Sequence, residues 1–202
     1  RPMWFHSMMP IRFIVTAFAA GPCVIVLVFL LVRKHTKLVI DDSVFNLLST
    51  TITVCLGLAL YLTLSEVVTE FYHPTEHALG LKYLIYGVQG LDKLVPFFWI
   101  SIALMLGSFI MLLFPSIRKN LKILPFLCVA IFTGIWIEKG MGLLLPGFSP
   151  TPIGEMTEYY PTWIEIGNSL GNWAIGFIVL SVLVKGAVGV LVGDISYEKN
   201  QA

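Results

Sequence analysis

Two carboxylates and two lysines interrupt stretches of this chain that otherwise read as hydrocarbon. Glu66 closes one apolar run, Glu138 and Lys139 stand side by side near the end of another, and Lys185 breaks a third. Ionisable groups beside lipid are costly, so each is by default a candidate for function. Carboxylates there can take up and release protons, and lysines can balance or relay that charge. Glu66, Glu70, His73 and His77 follow at i, i+4, i+7 and i+11, which puts them on one face of a continued helix. Pro74 is expected to end that helix first and to take His77 off the face. Glu70-x-x-His73 has the spacing of half a di-iron site, but such a site needs a second copy and two further carboxylates. The sequence holds one copy, so no metal is expected. The group then reads as a hydrated polar rim, a proton exit route or a contact for a partner subunit, with Glu66 the deepest member.

Adjacent helical residues point about 100° apart, so Glu138 and Lys139 need not pair with each other. Lys139 can extend outward along its methylenes. Glu138 lies two turns before the break at Pro146 and must stay inside, which makes it a protonatable site on a polar cavity. The plainer alternative is an interfacial anchor pair. Lys185 lies two turns from the end of its run and either snorkels or meets a partner carboxylate or an anionic headgroup. Glu66, Glu70, His73, Glu138, Lys139 and Lys185 are therefore the proton-path candidates. Asn168 and Asn172, one turn apart, suit hydrogen bonding between helices.

The elements that position these groups follow from composition. Only 12% of the residues are charged, against about 25% in water-soluble domains. A span needs about 20 apolar residues. Residues 11–32, 45–65, 94–114, 123–145 and 166–192 qualify. The expected fold is an all-α integral membrane protein with about five transmembrane helices, a four-helix bundle plus one terminal helix, in a single transmembrane domain. Arg33, Lys34 and Lys37 follow the first span, and Arg118, Lys119 and Lys122 separate the third from the fourth. Basic loops stay cytoplasmic, so both sets place the N-terminus and the 72–93 and 146–163 loops outside. Small residues such as Gly57, Gly134, Gly167, Gly171 and Gly176 allow close helix approach.

The remaining chemistry is sparse. Cys23, Cys55 and Cys128 sit singly in apolar runs and read as small buried hydrophobes, not ligands. His6, His35, His73 and His77 lie at span ends or in loops, which argues against a b-type haem in this chain. No basic stripe with interleaved aromatics suggests nucleic acid. The loop after the fourth span carries Pro146, Pro150, Pro152 and Pro161, and Glu155, Glu158 and Glu165 make its end acidic. Such stiffness removes ordering entropy before a partner docks. Phe148, Pro150, Pro152, Glu155, Glu158, Tyr159 and Tyr160 are the docking candidates, with a packed surface loop as the alternative.

Residues 136–185 hold a W-x-E-K-G-M-G turn, a P-G-F-x-P-T-P loop and a Y-x-P-T-x-x-E lead into the last span. Together with the opening R-P-M-W-F-H-S-M-M-P-I-R-F-I, these resemble the NrfD family of quinol-interacting membrane subunits, in its larger DsrP/HmeC-like type. The resemblance implies a subunit of about ten spans, of which five with an outside N-terminus match the second half. It also implies a prokaryotic cytoplasmic membrane and a docked extracytoplasmic iron–sulfur subunit beside other membrane subunits. Electrons would pass between that subunit and menaquinone or ubiquinone, with protons moving through polar groups in the bundles. The family's best understood quinone pocket lies in the other bundle, so no quinone ligand is assigned here. The quinone is an exchangeable substrate, and this half is expected to bind no cofactor of its own. A cofactor-free anchor for the redox complex is the second reading and an ion or solute transporter the third; no internal repeat favours the transporter.

Overall fold

The computed structural model describes residues 8–72, 78–88, 90–144, 146 and 161–193. These residues are almost entirely helical, with one isolated bridge between Val88 and Leu91 and no strand among them. The helices are α1 (Met9–His35), α2 (Asp42–Tyr72), α3 (Ala78–Tyr86), α4 (Val95–Leu113), α5 (Pro115–Arg118), α6 (Leu124–Lys139) and α7 (Trp163–Val192). A π-helical turn, Gly140–Leu144, continues α6. Five spans are long and apolar enough to cross a membrane, the fourth being α6 together with its π turn. The chain divides into two compact units, Arg1–Leu27 with Asp42–Tyr159, and Val28–Asp41 with Tyr160–Ala202.

The first unit is a four-helix bundle of α1, α2, α4 and α6, and its core follows one spacing. Thr16, Ala19, Cys23 and Val26 are buried on α1. Phe45, Ser49, Ile52, Leu56, Ala59 and Thr63 are buried on α2. Phe98, Ser101, Met105, Ser108 and Leu112 do the same on α4, and Leu124, Leu127, Ile131 and Gly134 on α6. Steps of three and four alternate along every stripe. That is the spacing of helices packed at shallow angles, ridges of one in grooves of the next. The opposite faces carry Phe18, Leu47, Leu58, Leu106 and Phe126, all exposed. Apolar residues on both faces suit a bundle whose outer solvent is hydrocarbon.

Small and hydroxylic residues let the core close. The Thr16 hydroxyl donates to the Arg12 carbonyl at 2.8 Å, Thr53 to Ser49 at 2.7 Å and Thr63 to Ala59 at 3.0 Å. Each satisfies its own polar atom one turn back along the helix. α4 and α6 are the most intimately paired helices. A Cβ on Gly134 would stand 2.9 Å from Met105 Cγ and 3.3 Å from the Ser101 carbonyl oxygen. Without it, Ser101 Oγ donates to the Gly134 carbonyl at 3.0 Å. The Cys23 and Cys128 thiols meet within hydrogen-bonding reach between α1 and α6, and both are buried, as small apolar residues would be.

The connection between α2 and α4 is structured rather than a simple loop. Within α3, Leu81, Tyr83, Leu84 and Ile85 are buried in a cluster with Leu94 and Phe98, against which Val67, Phe71 and Met141 also pack. Trp99 Nε1 donates to the Ile85 carbonyl at 3.2 Å. Gly87 then turns the chain at φ +76°, where a Cβ would lie 2.8 Å from the Leu91 carbonyl oxygen. α3 thus covers the bundle end where α2 finishes and α4 begins.

In the second unit α7 starts with a capping box. Thr162 Oγ1 accepts from the Glu165 amide at 3.4 Å, and Glu165 Oε2 accepts from the Thr162 amide at 2.7 Å. The Glu165 carboxylate, read above with the acidic end of the loop, is used in starting a helix. Gly193 ends α7 in the left-handed conformation at φ +86°.

The α4–α6 contact predicts a graded response. Gly134→Ala should cost about 1–3 kcal/mol by overpacking and lower the thermal midpoint in detergent. Gly134→Leu should force the two helices apart and give aggregated protein on size exclusion. A Leu variant with the wild-type midpoint would contradict this packing.

Candidate functional site

The polar site grows out of the same stripes. One further step along α1, from Thr16 back to residue 12, brings Arg12. One step beyond Thr63 on α2 brings Glu66, and one step beyond Gly134 on α6 brings Glu138. The helices alternate in direction, so the start of α1, the end of α2 and the end of α6 meet at one bundle end. Three charged residues therefore occupy what would be one core layer. α4 closes the layer with an apolar group: Phe98 and Glu138 both lie 3.9 Å from where a Gly142 Cβ would stand.

The Arg12 guanidinium forks between the two carboxylates. Nη1 donates to Glu66 Oε2 and Nη2 to Glu138 Oε1. Lys139 Nζ lies 3.1 Å from Glu138 Oε2, an ion pair not aligned as a hydrogen bond. The same ammonium sits 4.7 Å from the centre of the Phe13 ring, a cation–π contact next to Arg12 in sequence. The side chains are 12% exposed for Arg12, 18% for Glu66, 2% for Glu138 and 16% for Lys139. Two positive and two negative groups make a formally neutral cluster. That balance is what lets four ions share a low-dielectric site.

The π turn contributes directly. Extra-residue turns of this kind inside a helix are frequent at functional positions. Here the turn begins immediately after Lys139, and its Gly142 packs over the Glu138 side chain. A Cβ at residue 142 would be in ordinary van der Waals contact with both Glu138 and Phe98.

The structure joins three of the six proton-path candidates, Glu66, Glu138 and Lys139. Glu138 and Lys139 pair with each other despite being neighbours in sequence, because the long lysine side chain curls back to reach the carboxylate. Lys139 accordingly turns inward to the cluster rather than outward. Glu70 is half-buried one turn beyond Glu66 and takes no part in the cluster. Lys185, Asn168 and Asn172 lie on α7 in the second unit. His73 and His77 fall outside the described residues, as do Phe148, Pro150, Pro152, Glu155, Glu158, Tyr159 and Tyr160. Among the described residues no three His, Cys, Asp or Glu side chains converge as a metal site would require. Arg12 is the functional residue that sequence reasoning missed. It stands at the mouth of an apolar run, where a basic residue is ordinarily an interfacial anchor. Its register with Thr16, Ala19, Cys23 and Val26 is the signal that marks it as a core position.

Fold and site together define a multi-pass helical membrane protein with a charge-balanced polar layer inside its bundle. The family described as polysulphide reductase, NrfD, matches residues 1–148, and the chain belongs to it. The matched part covers the four helices of the bundle, the ion cluster and the π turn. Of the 136–185 segment that first suggested the likeness, it includes only the beginning. No curated protein matches the chain. Members of this family are membrane subunits of quinol-linked redox complexes.

Arg12 is the partner that the two carboxylates share. Arg12→Ala should leave Glu66 and Glu138 facing each other without it and cost about 3–5 kcal/mol. Arg12→Lys should recover part of this, since a single ammonium replaces a planar fork. Thermal unfolding in detergent reads both. Equal midpoints for Arg12→Ala and the wild type would mean that the fork does not form.

Proposed function

We propose that this protein is a membrane subunit of a respiratory redox complex in a prokaryotic cytoplasmic membrane. It exchanges electrons between the menaquinone or ubiquinone pool and an extracytoplasmic iron–sulfur subunit, and the ion cluster of its bundle forms part of a proton path. In this reading the five spans supply the second half of a longer subunit of about ten spans. The redox change belongs to the quinone and to the partner's clusters. This chain supplies position and proton-exchanging groups.

The observation that carries the reading is the buried Arg12–Glu66–Glu138–Lys139 cluster in a chain of this family. Oxidising a quinol releases two protons with two electrons, so its membrane partner needs groups that take protons and pass them on. Carboxylates held beside cations inside the bundle meet that need. The cluster lies at the bundle end opposite the basic loop of Arg118, Lys119 and Lys122. By the distribution of basic residues that is the extracytoplasmic end, where the docking loop at 148–160 also belongs. The partners are then the iron–sulfur subunit, the other membrane subunits of the complex and the quinone itself.

The anchor reading gives different outcomes. Under the redox reading Glu66→Gln should lower quinol-coupled turnover by about 10²-fold while the complex still assembles. The purified complex should also yield extractable quinone and iron. Under the anchor reading Glu66→Gln leaves turnover at the wild-type rate, and only substitutions in the 148–160 loop matter, by abolishing assembly. Wild-type turnover in Glu66→Gln removes the cluster from the mechanism.

A further inference from the structure

The two carboxylates of the cluster are not equivalent. Glu138 is 2% exposed, and both of its oxygens face cations, Oε1 the Arg12 guanidinium and Oε2 the Lys139 ammonium. Glu66 is 18% exposed, and among the described residues only its Oε2 is engaged, by the other arm of the same guanidinium. Protonating Glu138 would leave Lys139 without its counter-ion and Arg12 with Glu66 alone. Protonating Glu66 would leave Arg12 paired with Glu138 and Lys139 paired with Glu138. A buried charge left alone is far costlier than a pair left standing, so the two events differ in cost by construction.

We infer that Glu66 is the carboxylate that gains and loses the proton, that Glu138 is a fixed counter-ion, and that Arg12 is the positioning residue that couples them. The step balances simply. A hydronium ion gives its proton to a Glu66 oxygen, the acid becomes neutral, and the cluster passes from formal charge zero to plus one. Release to water reverses it. Arg12 keeps its hold on Glu138 Oε1 in both states, so the helix packing need not change with each proton. Arg12 Nε is buried without an acceptor among the described residues. Among the described residues, the charged and titratable groups that neighbouring elements bring to this bundle end are Arg12 on α1, Glu138 and Lys139 on α6, Lys82, Tyr83 and Tyr86 on α3, and Asp92 and Lys93 just before α4. α4 brings no charged residue, and Glu70 follows on α2 itself.

The inference rests on the proposed function only in taking the cluster as a proton site, and its test needs no quinol. Dicyclohexylcarbodiimide reacts with protonated carboxyls in apolar surroundings, so it should label the full-length wild-type protein on the peptide carrying Glu66. An adduct on Glu138 in place of Glu66 overturns the assignment. Infrared difference spectra of the purified complex between neutral and acid pH should show a carboxylic-acid C=O band that is lost in Glu66→Gln and kept in Glu138→Gln. The opposite pattern also overturns it. Arg12→Lys keeps the charge but not the fork, and it should displace the pH midpoint of that band. An unmoved midpoint makes Arg12 a structural strut and refutes its positioning role. Labelling confined to Glu66, with quinol turnover untouched by Glu66→Gln, would sink the quinol-linked reading while leaving this assignment standing.

Discussion

The bundle depends on a charge balance that no single helix can provide. Arg12 alone among apolar spans would leave a guanidinium with nothing to neutralise it. Glu66 and Glu138 alone would set two carboxylates against each other. Lys139 offsets Glu138 within α6, but Arg12 and Glu66 cancel only across helices, and the guanidinium joins α1, α2 and α6 because it offers two donor groups to two acceptors at once. The cluster therefore acts on the arrangement of helices as well as on local chemistry. A register shift of one turn in α1 would carry Arg12 out of reach of both partners.

This matters most for α1, which meets the rest of the bundle through side chains rather than close backbone pairing. α4 and α6 are held differently, by the absence of a side chain at Gly134 and by the Ser101 hydrogen bond into the gap. Apolar burial adds little between helices in lipid, because the surrounding chains are as apolar as the side chains. Packing density and polar contacts have to supply the specificity. The two devices divide the bundle: close contact along α4 and α6, and ionic contact at the end where α1, α2 and α6 converge. α3 and the π turn cover that end with Leu81, Tyr83 and Met141.

Much of this was legible in the chain beforehand. The five spans follow from hydropathy, since an apolar run of that length has few other places to go. Glu66, Glu138 and Lys139 stood out because each breaks such a run. Arg12 did not, because hydropathy blurs the edge of a span, and a basic residue there has an ordinary interfacial explanation. The Glu138–Lys139 pair was obscured by helix geometry, since backbone directions 100° apart say nothing of where a four-carbon side chain ends. α3 was hidden in what read as a connecting loop. Its nine residues are too few for a span, and their burial depends on Leu94, Phe98 and Phe71, which other helices bring. Glu165 read as part of an acidic surface, although Thr162 three residues before it is the signature of a helix start. The three-and-four spacing of core residues was the unused signal throughout. Continued by one step on α1, α2 and α6, it lands on Arg12, Glu66 and Glu138.

A structural demand alone does not account for ions in that last layer. Apolar residues of similar volume commonly replace a buried ion network with no loss, and often with a gain, in stability. The stripes of this bundle already supply such residues in the other layers, with hydroxyls that bond back along their own helices or, at Ser101, across to Gly134. The polar layer also departs from a symmetric design, with two cations on Glu138 and one on Glu66. A device meant only to hold helices in register would be served by a single pair. A permanently charged guanidinium shared by two carboxylates at the end of a bundle suits instead the inferred exchange, in which one carboxylate changes its protonation while the other keeps its partners. Under the proposed function that capacity would serve quinol protons, and the fork exists only where three helices meet.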